Sequence, residues 1–406
     1  MTDTHIFDEI INRRGTGCVK WDEAPSPDVI PLWVADMDFR CAPAIQEAIR
    51  RRCEHGVFGY THVGDDYYQA VQSWFLRRHQ WKINREEILY TIGVVPAVSV
   101  AIKALTMPGE KVLMLSPDYN CFFSSIRNNG CEVLETALLR EDVTTYIDGR
   151  QCQSMTFKVD WDDFEQKCAD DKTTLFLLCN PHNPTGRVWT AEELSHMNDI
   201  CMRYGVKVVT DEIHCELVMP GYRYQPFAAV SEECRMNSVA LTSPSKSFNI
   251  AGLQTANIIC PRHDWRRRID RAININEVCD LNPFGPVALV AAYNESEDWM
   301  DALCQYLWGN YVAVRGFFAE NVPQLTVASL EGTYLPWVDA SAFIDPADKQ
   351  GTKNLCDRIL AEGKVWVNPG TMYGPQTGKG YIRLNIACPR QLLMEGMERI
   401  GKCLSL

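Results

Sequence analysis

Short apolar runs that stop abruptly at polar or glycine-rich turns recur through the middle of the chain: KVLMLSPDY from Lys111, TLFLLCNPHNPTG from Thr174, KVVTDEIHCEL from Lys207 and SVALTSPSKSF from Ser238. Their length and partly β-branched content predict strands. Between them lie stretches with helical spacing. CAPAIQEAIRRRCEHG (41–56) closes on a glycine, and TAEELSHMNDICMRYG (190–205) opens with Thr190 followed three residues later by Glu193, a reciprocal cap. Alternating strands and helices predict an α/β fold with a mostly parallel sheet and crossover helices. In such a sheet ligands sit beyond the carboxyl ends of the strands, so the polar residues after these four runs are expected to converge.

Two prolines and a glycine in DLNPFGP (280–286) interrupt the pattern, after which residues 286–321 read as one helical stretch leading into a shorter alternating region. This organisation predicts an N-terminal segment (1–50) packed with the small domain, a large domain (51–283) and a smaller α/β domain (284–406). The polar stretch 141–157 reads as a surface excursion, and no internal repeat is evident. At 406 residues the chain exceeds the size at which one core keeps growing. Apolar residues at 46% and charged residues at 23% argue against extensive disorder. A net charge of −12 disfavours nucleic acid and anionic membranes as partners. No apolar run reaches the roughly 20 residues of a membrane span, and MTDTHIFDEI lacks the form of a secretory signal, so a cytoplasmic protein is expected. The 17 cysteines are scattered, with no C-x-x-C pair, and read as small reduced core residues.

The chemistry centres on Lys246 in TSPSKSFNIAGL. A lysine in a cleft can form a Schiff base with an aldehyde once burial or a neighbouring cation lowers its pKa. Alone it would be an ordinary surface charge; its company changes that. Asp211 follows a buried run where a carboxylate needs a cationic partner, which the protonated ring nitrogen of pyridoxal 5′-phosphate would supply. His214 could donate to the phenolic oxygen of that cofactor. Reading HCE (214–216) as a metal site is weaker, because no second His/Cys cluster lies at ligand spacing. Asn183, fixed by two Asn-Pro steps and a Thr-Gly, is suited to the same phenolic oxygen. In TIGVVPAVSVAIKAL the amides of Val94 and Val95 open a helix and could bind a phosphate, with Ser243 and Ser245 adding hydroxyls. Tyr119 is placed to stack on a flat ring. Arg383, inside the apolar run of KGYIRLNIACPR, would be costly unless it met a carboxylate, such as that of an amino acid.

Taken together, INRRGTGCVKWD, PLWVADMDF, FGYTH, GVVPAV, SPDYNCFF, LLCNPHNPTGRVWT, TDEIHCELV, SPSKSFNIAGLQTANIIC, EGTYLPWVD and RLNIACPR resemble the fold-type I pyridoxal-phosphate enzymes. More narrowly, the chain is similar to their MalY/PatB-type cystathionine β-lyase (C–S lyase) branch. The resemblance implies Lys246 as the Schiff-base lysine and proton shuttle, Asp211 as partner of the ring nitrogen, Asn183 and His214 at the phenolic oxygen, Tyr119 as the ring stack and Arg383 as the carboxylate clamp. Tyr60 would reach the neighbouring subunit's site, which implies a homodimer. Two positions depart from the wider superfamily: Gln254 stands where many aminotransferases have a phosphate-binding arginine, and His214 where they commonly have a tyrosine.

The resemblance therefore implies a lyase that eliminates thiol from L-cystathionine, L-cysteine or another S-substituted cysteine, giving pyruvate and ammonia. Lyase and aminotransferase share every step through proton removal from Cα, so an aminotransferase acting on an L-amino acid is the alternative. A pyridoxal-phosphate-binding regulator of a partner protein is a third possibility, from outside catalysis.

Overall fold

The computed structural model describes residues 4–147, 149–275 and 280–405. Its centre is a seven-stranded sheet formed by β1 (Ile88–Thr91), β2 (Lys111–Ser116), β3 (Glu132–Ala137), β4 (Thr173–Cys179), β5 (Lys207–Asp211), β6 (Ser238–Thr242) and β7 (Ala256–Ile259). Their order across the sheet is β1-β7-β6-β5-β4-β2-β3. Six strands share one direction; β7 runs antiparallel to both its neighbours. The four runs singled out in the sequence are the contiguous parallel strands β6-β5-β4-β2, so their terminal turns stand side by side.

The period-two alternation of a strand divides the apolar residues between two faces. Val112, Met114, Leu175, Leu177 and Val209 pack with the helices Val94–Leu105 and His263–Asn274. Leu113, Leu115, Phe176, Leu178 and Val208 pack with Trp161–Cys168 and Ala191–Arg203. The expected cap of the latter helix is formed: Thr190 Oγ1 accepts from Glu193 N, and the Glu193 carboxylate accepts from Thr190 N.

A third core joins Phe7, Ile30 and Leu32 to Trp74, Trp299, Leu307 and Ile400, tying the beginning of the chain to its last helix. Ile30–Pro31 also pairs in parallel with Val365–Trp366. A small antiparallel sheet holds Trp337–Asp339, Asn368–Pro369 and Tyr381–Arg383. The helical stretch 286–321 is broken, contrary to its reading as one unit, into Gly285–Glu295 and Glu297–Asn321. At the break Ser296 has ψ +20° and donates its hydroxyl to Ala291 O at 3.0 Å, competing with the helical backbone. Residues 141–157 lie in a hairpin of Leu139–Ile147 with Arg150–Lys158; Asp148 falls outside the described residues.

Sixteen cysteines are described, none in a disulfide and most buried, while Cys279 lies outside the described residues. Among the described residues no helix is long and apolar enough to cross a membrane.

Candidate active site

The carboxyl ends of β2, β4, β5 and β6 deliver Tyr119, Asn183, Asp211 with His214, and Lys246 to one cavity of about 190 Å³. The start of the helix Val94–Leu105, including Val94 and Val95, forms another wall. Pro96 has no N–H and Ala97 N donates to Gly93 O, so the amides of Val94 and Val95 are the outward donors of this terminus. They point the positive end of a helix into a cleft that already contains a lysine.

Lys246 donates to the Ala35 carbonyl. Burial pulls its pKa from the usual lysine range to about 8, with Arg383 adding to the lowering while Asp36 and Asp211 oppose it. A substantial neutral fraction near physiological pH is what a nucleophilic, proton-carrying amine requires.

Asp211 is in the opposite condition. Burial pushes its carboxyl up to about 7, only partly offset by the Ile213 amide, which donates to Oδ1 at 3.1 Å. Among the described residues no cation forms a salt bridge with it, so a cationic ring nitrogen would relieve a cost that the protein leaves standing. His214 is buried with Nδ1 lacking a hydrogen-bond partner, and burial, then Lys246 and Arg383, lowers its pKa to about 3. It is a neutral imidazole with one N–H to give.

Arg383 is 3% exposed and, among the described residues, is paired with no carboxylate. Its Nη1 donates to Asn183 Oδ1 at 3.1 Å and its Nη2 to Trp33 O at 3.0 Å; Nε has no partner, and the guanidinium lies 4.5 Å from the centre of the Tyr373 ring. The bond from Arg383 also orients Asn183 so that its NH₂ remains the free end of the amide. The turn carrying Asn183 depends on Gly186, whose φ of +78° and approach to Leu330 (2.9 Å from a hypothetical Cβ) exclude a side chain. Tyr119 is partly buried against Phe122, and burial raises its hydroxyl pKa.

Three expected residues lie elsewhere or are otherwise engaged. Ser243 corrects the reading of it as a phosphate ligand: its hydroxyl donates to Thr255 O at 2.7 Å and accepts from Ser245 N at 3.0 Å, so it caps the turn that holds Lys246. Ser245 is half-buried one residue from Lys246, outside the cavity lining. Tyr60 is fully exposed (101%) and touches none of this site within the chain. Gln254 adopts a left-handed conformation (φ +50°) at the end of a short turn.

Ala35, Trp33 and Tyr334, which the sequence analysis left without roles, also belong to the site. Tyr334 donates to Ala35 O at 2.9 Å, the same carbonyl that receives Lys246. Their only signals were the motifs PLWVADMDF and EGTYLPW. The HCE reading needs amending too: the fold does bring His79 within ligand distance of Cys215 and Glu216. Those groups are occupied with one another, however, since Glu216 Oε1 accepts from Trp74 Nε1 at 2.7 Å and contacts His79 Nε2 at 2.7 Å.

A buried carboxylate lacking a cation, an orphaned imidazole nitrogen, a lysine of lowered pKa and a helix N-terminus form a donor set that fits pyridoxal 5′-phosphate. Comparison with known proteins agrees. The sequence model of the family "Aminotransferase class I and II" matches residues 27–400. Cystathionine beta-lyase PatB of Bacillus subtilis (strain 168) is 39% identical over 404 residues, covering 98% of this chain and 100% of that protein. Protein MalY of Escherichia coli (strain K12) is 33% identical, covering 96% of each. Among solved structures, cystalysin from Treponema denticola, which contains a pyridoxal 5′-phosphate cofactor, superposes with a TM-score of 0.90 at 32% identity and 98% coverage of both chains.

Proposed function

The chain belongs to the aminotransferase class I and II family, in its MalY/PatB cystathionine β-lyase branch, and from that premise we propose that it cleaves the Cβ–S bond of L-cystathionine, L-cysteine or a related S-substituted cysteine, consuming one water and releasing thiol, pyruvate and ammonia. Pyridoxal 5′-phosphate is its cofactor, and when bound it supplies the electron sink for negative charge at the substrate Cα. Asp211 holds the proton of the ring nitrogen, a role supported by its unpaired burial. Asn183 Nδ2 and the neutral His214 donate toward the phenolic oxygen. The amides of Val94 and Val95 hold the phosphate, and Tyr119 stacks on the ring.

Arg383 takes the substrate carboxylate and thereby fixes which Cα substituent faces Lys246. Lys246 Nζ, neutral, removes the Cα proton and returns it to the departing sulfur, so that the thiol leaves uncharged. The division into a large lobe (51–283) and a smaller one (284–406) puts Lys246 on the first and Arg383 on the second, so their relative placement determines how the two ends of the substrate are held. Tyr60, exposed within its own chain, serves the site of a second copy in a homodimer. The expected location is the cytoplasm.

The observation that carries this reading is the pair of buried, uncompensated charges, Asp211 and Arg383, flanking one lysine of lowered pKa. The test is to supply purified yellow protein with L-cystathionine and, separately, L-cysteine, without any keto acid. Stoichiometric pyruvate and free thiol are expected. Absence of pyruvate, with bleaching of the cofactor band that a keto acid restores, would replace the lyase with an aminotransferase.

A further inference from the structure

The motif PLWVADMDF contains two aspartates two residues apart, and the fold treats them differently. Asp38 is completely paired: its carboxylate accepts from Arg13 Nη1 at 2.6 Å, Trp21 Nε1 at 2.7 Å and Lys20 Nζ at 2.8 Å. Asp36 is held on one side only. Its Oδ2 accepts from Arg13 Nη2 at 2.6 Å, while Oδ1 is buried without a hydrogen-bond partner, with Lys20 Nζ as far as 3.9 Å away.

The backbone around Asp36 is fixed from two directions. Asn249, three residues beyond Lys246, accepts from Met37 N at 3.0 Å and donates to Phe39 O at 2.8 Å. Asn385, two residues beyond Arg383, donates to Asp36 O at 2.7 Å. The carbonyl immediately before Asp36, that of Ala35, is where Lys246 Nζ and Tyr334 Oη converge. A half-compensated carboxylate is thus anchored beside the docking point of the reactive amine by residues from both sides of the cleft.

We infer that Asp36 is a positioning residue that acts through Lys246: its half-compensated carboxylate follows directly on the Ala35 carbonyl where the free amine rests, and its charge sets how readily that amine holds the proton taken from the substrate. The inference rests on Lys246 being the reacting amine. Asp36 is the leading charge that opposes the lowering by burial and Arg383, ahead of Asp211 and Cys121. It also faces Tyr334, whose hydroxyl pKa burial and then Asp36 raise. Arg13 and Lys20 moderate it from the other side. Removing the carboxylate charge therefore favours the neutral amine, and removing Arg13 favours the ammonium.

The test reads the amine without turnover. In the full chain freed of cofactor, Lys246 acetylation by acetic anhydride is followed by peptide mass mapping across the neutral to alkaline range. Asp36→Asn is expected to lower the midpoint by about one pH unit, making labelling near neutral pH about fivefold faster. Asp36→Glu is expected to keep the wild-type midpoint, and Arg13→Gln to raise it. An unchanged midpoint in Asp36→Asn that melts like wild type, or an equal downward shift in Asp38→Asn, would overturn the inference. Should Asp36→Asn not fold, a midpoint in Arg13→Gln that stays or falls would do the same. Because no substrate is involved, failure of the lyase reading would appear only in the pyruvate assay.

Discussion

The six residues from Asp211 to Glu216 have two sides, and acids on them meet opposite fates. Asp211 and His214 face the cleft, one without a cation and the other with an orphaned Nδ1. Glu212 and Glu216 face away and are provided for: Glu212 accepts from Tyr224 Oη at 2.5 Å and Phe227 N at 3.0 Å, and Glu216 meets Trp74, His79 and Arg78. All four are buried. Burial alone therefore does not mark the chemistry; of these four, the two that line the cavity are the carboxylate for which no side-chain hydrogen bond is formed among the described residues and the imidazole with an orphaned Nδ1, as expected of groups that a ligand will complete.

The contrast can be broken most forcefully on the paired side. Glu216→Ala leaves His79 and the buried Trp74 without their acceptor, Arg78 keeping Asp301 and Glu297, and is expected to cost about 3–5 kcal/mol, read by urea denaturation, while the folded fraction keeps its lyase rate. A loss of rate with full stability would reverse the assignment of the two faces. Asp211→Asn is the converse case. It is expected to lower kcat by roughly 10²-fold and weaken cofactor retention, checked by pyruvate release and absorbance after dialysis, with the cofactor-free protein no less stable than wild type.

A finer test uses pH. The Asp211 carboxyl titrates at about 7 in the folded chain against 3.8 as its ordinary value. Between those values the folded state binds more protons than the unfolded one, so this group's contribution to stability falls as pH rises through the window and levels off above about 7. Glu212, raised to about 7 by burial, adds a slope of the same sign. Melting of the cofactor-free protein across this range should therefore slope less in Asp211→Asn than in wild type, and equal slopes would show that Asp211 is already compensated.

Much of this was legible in the sequence because it is local. The four runs ending at Ser116, Cys179, Asp211 and Thr242 carried both the strand signal and the polar residue after it, and parallel topology did the rest. What escaped detection was set by distant partners. Trp33 and Ala35 enter the site through main-chain carbonyls, which no residue type announces. Ser243 looked like an anion donor, but its hydroxyl donates to the Thr255 carbonyl instead. His79 lies 137 positions from Glu216, far beyond any spacing that could suggest a cluster. The break at Ser296 hinges on one hydroxyl competing with the helix, a choice that apolar periodicity does not record.

The parallel pairing of Ile30–Pro31 with Val365–Trp366 also has a consequence for the order in which the molecule can be made. During synthesis the central sheet can assemble once β7 has emerged, but the segment that carries Ala35 and Asp36 must wait for a strand made more than 330 residues after its own. Such a long closure is slow compared with local folding. A nascent chain can thus present Lys246 and Asp211 on a folded sheet before the wall that docks the amine exists, and the catalytic pocket is completed only after Val365–Trp366 has left the ribosome.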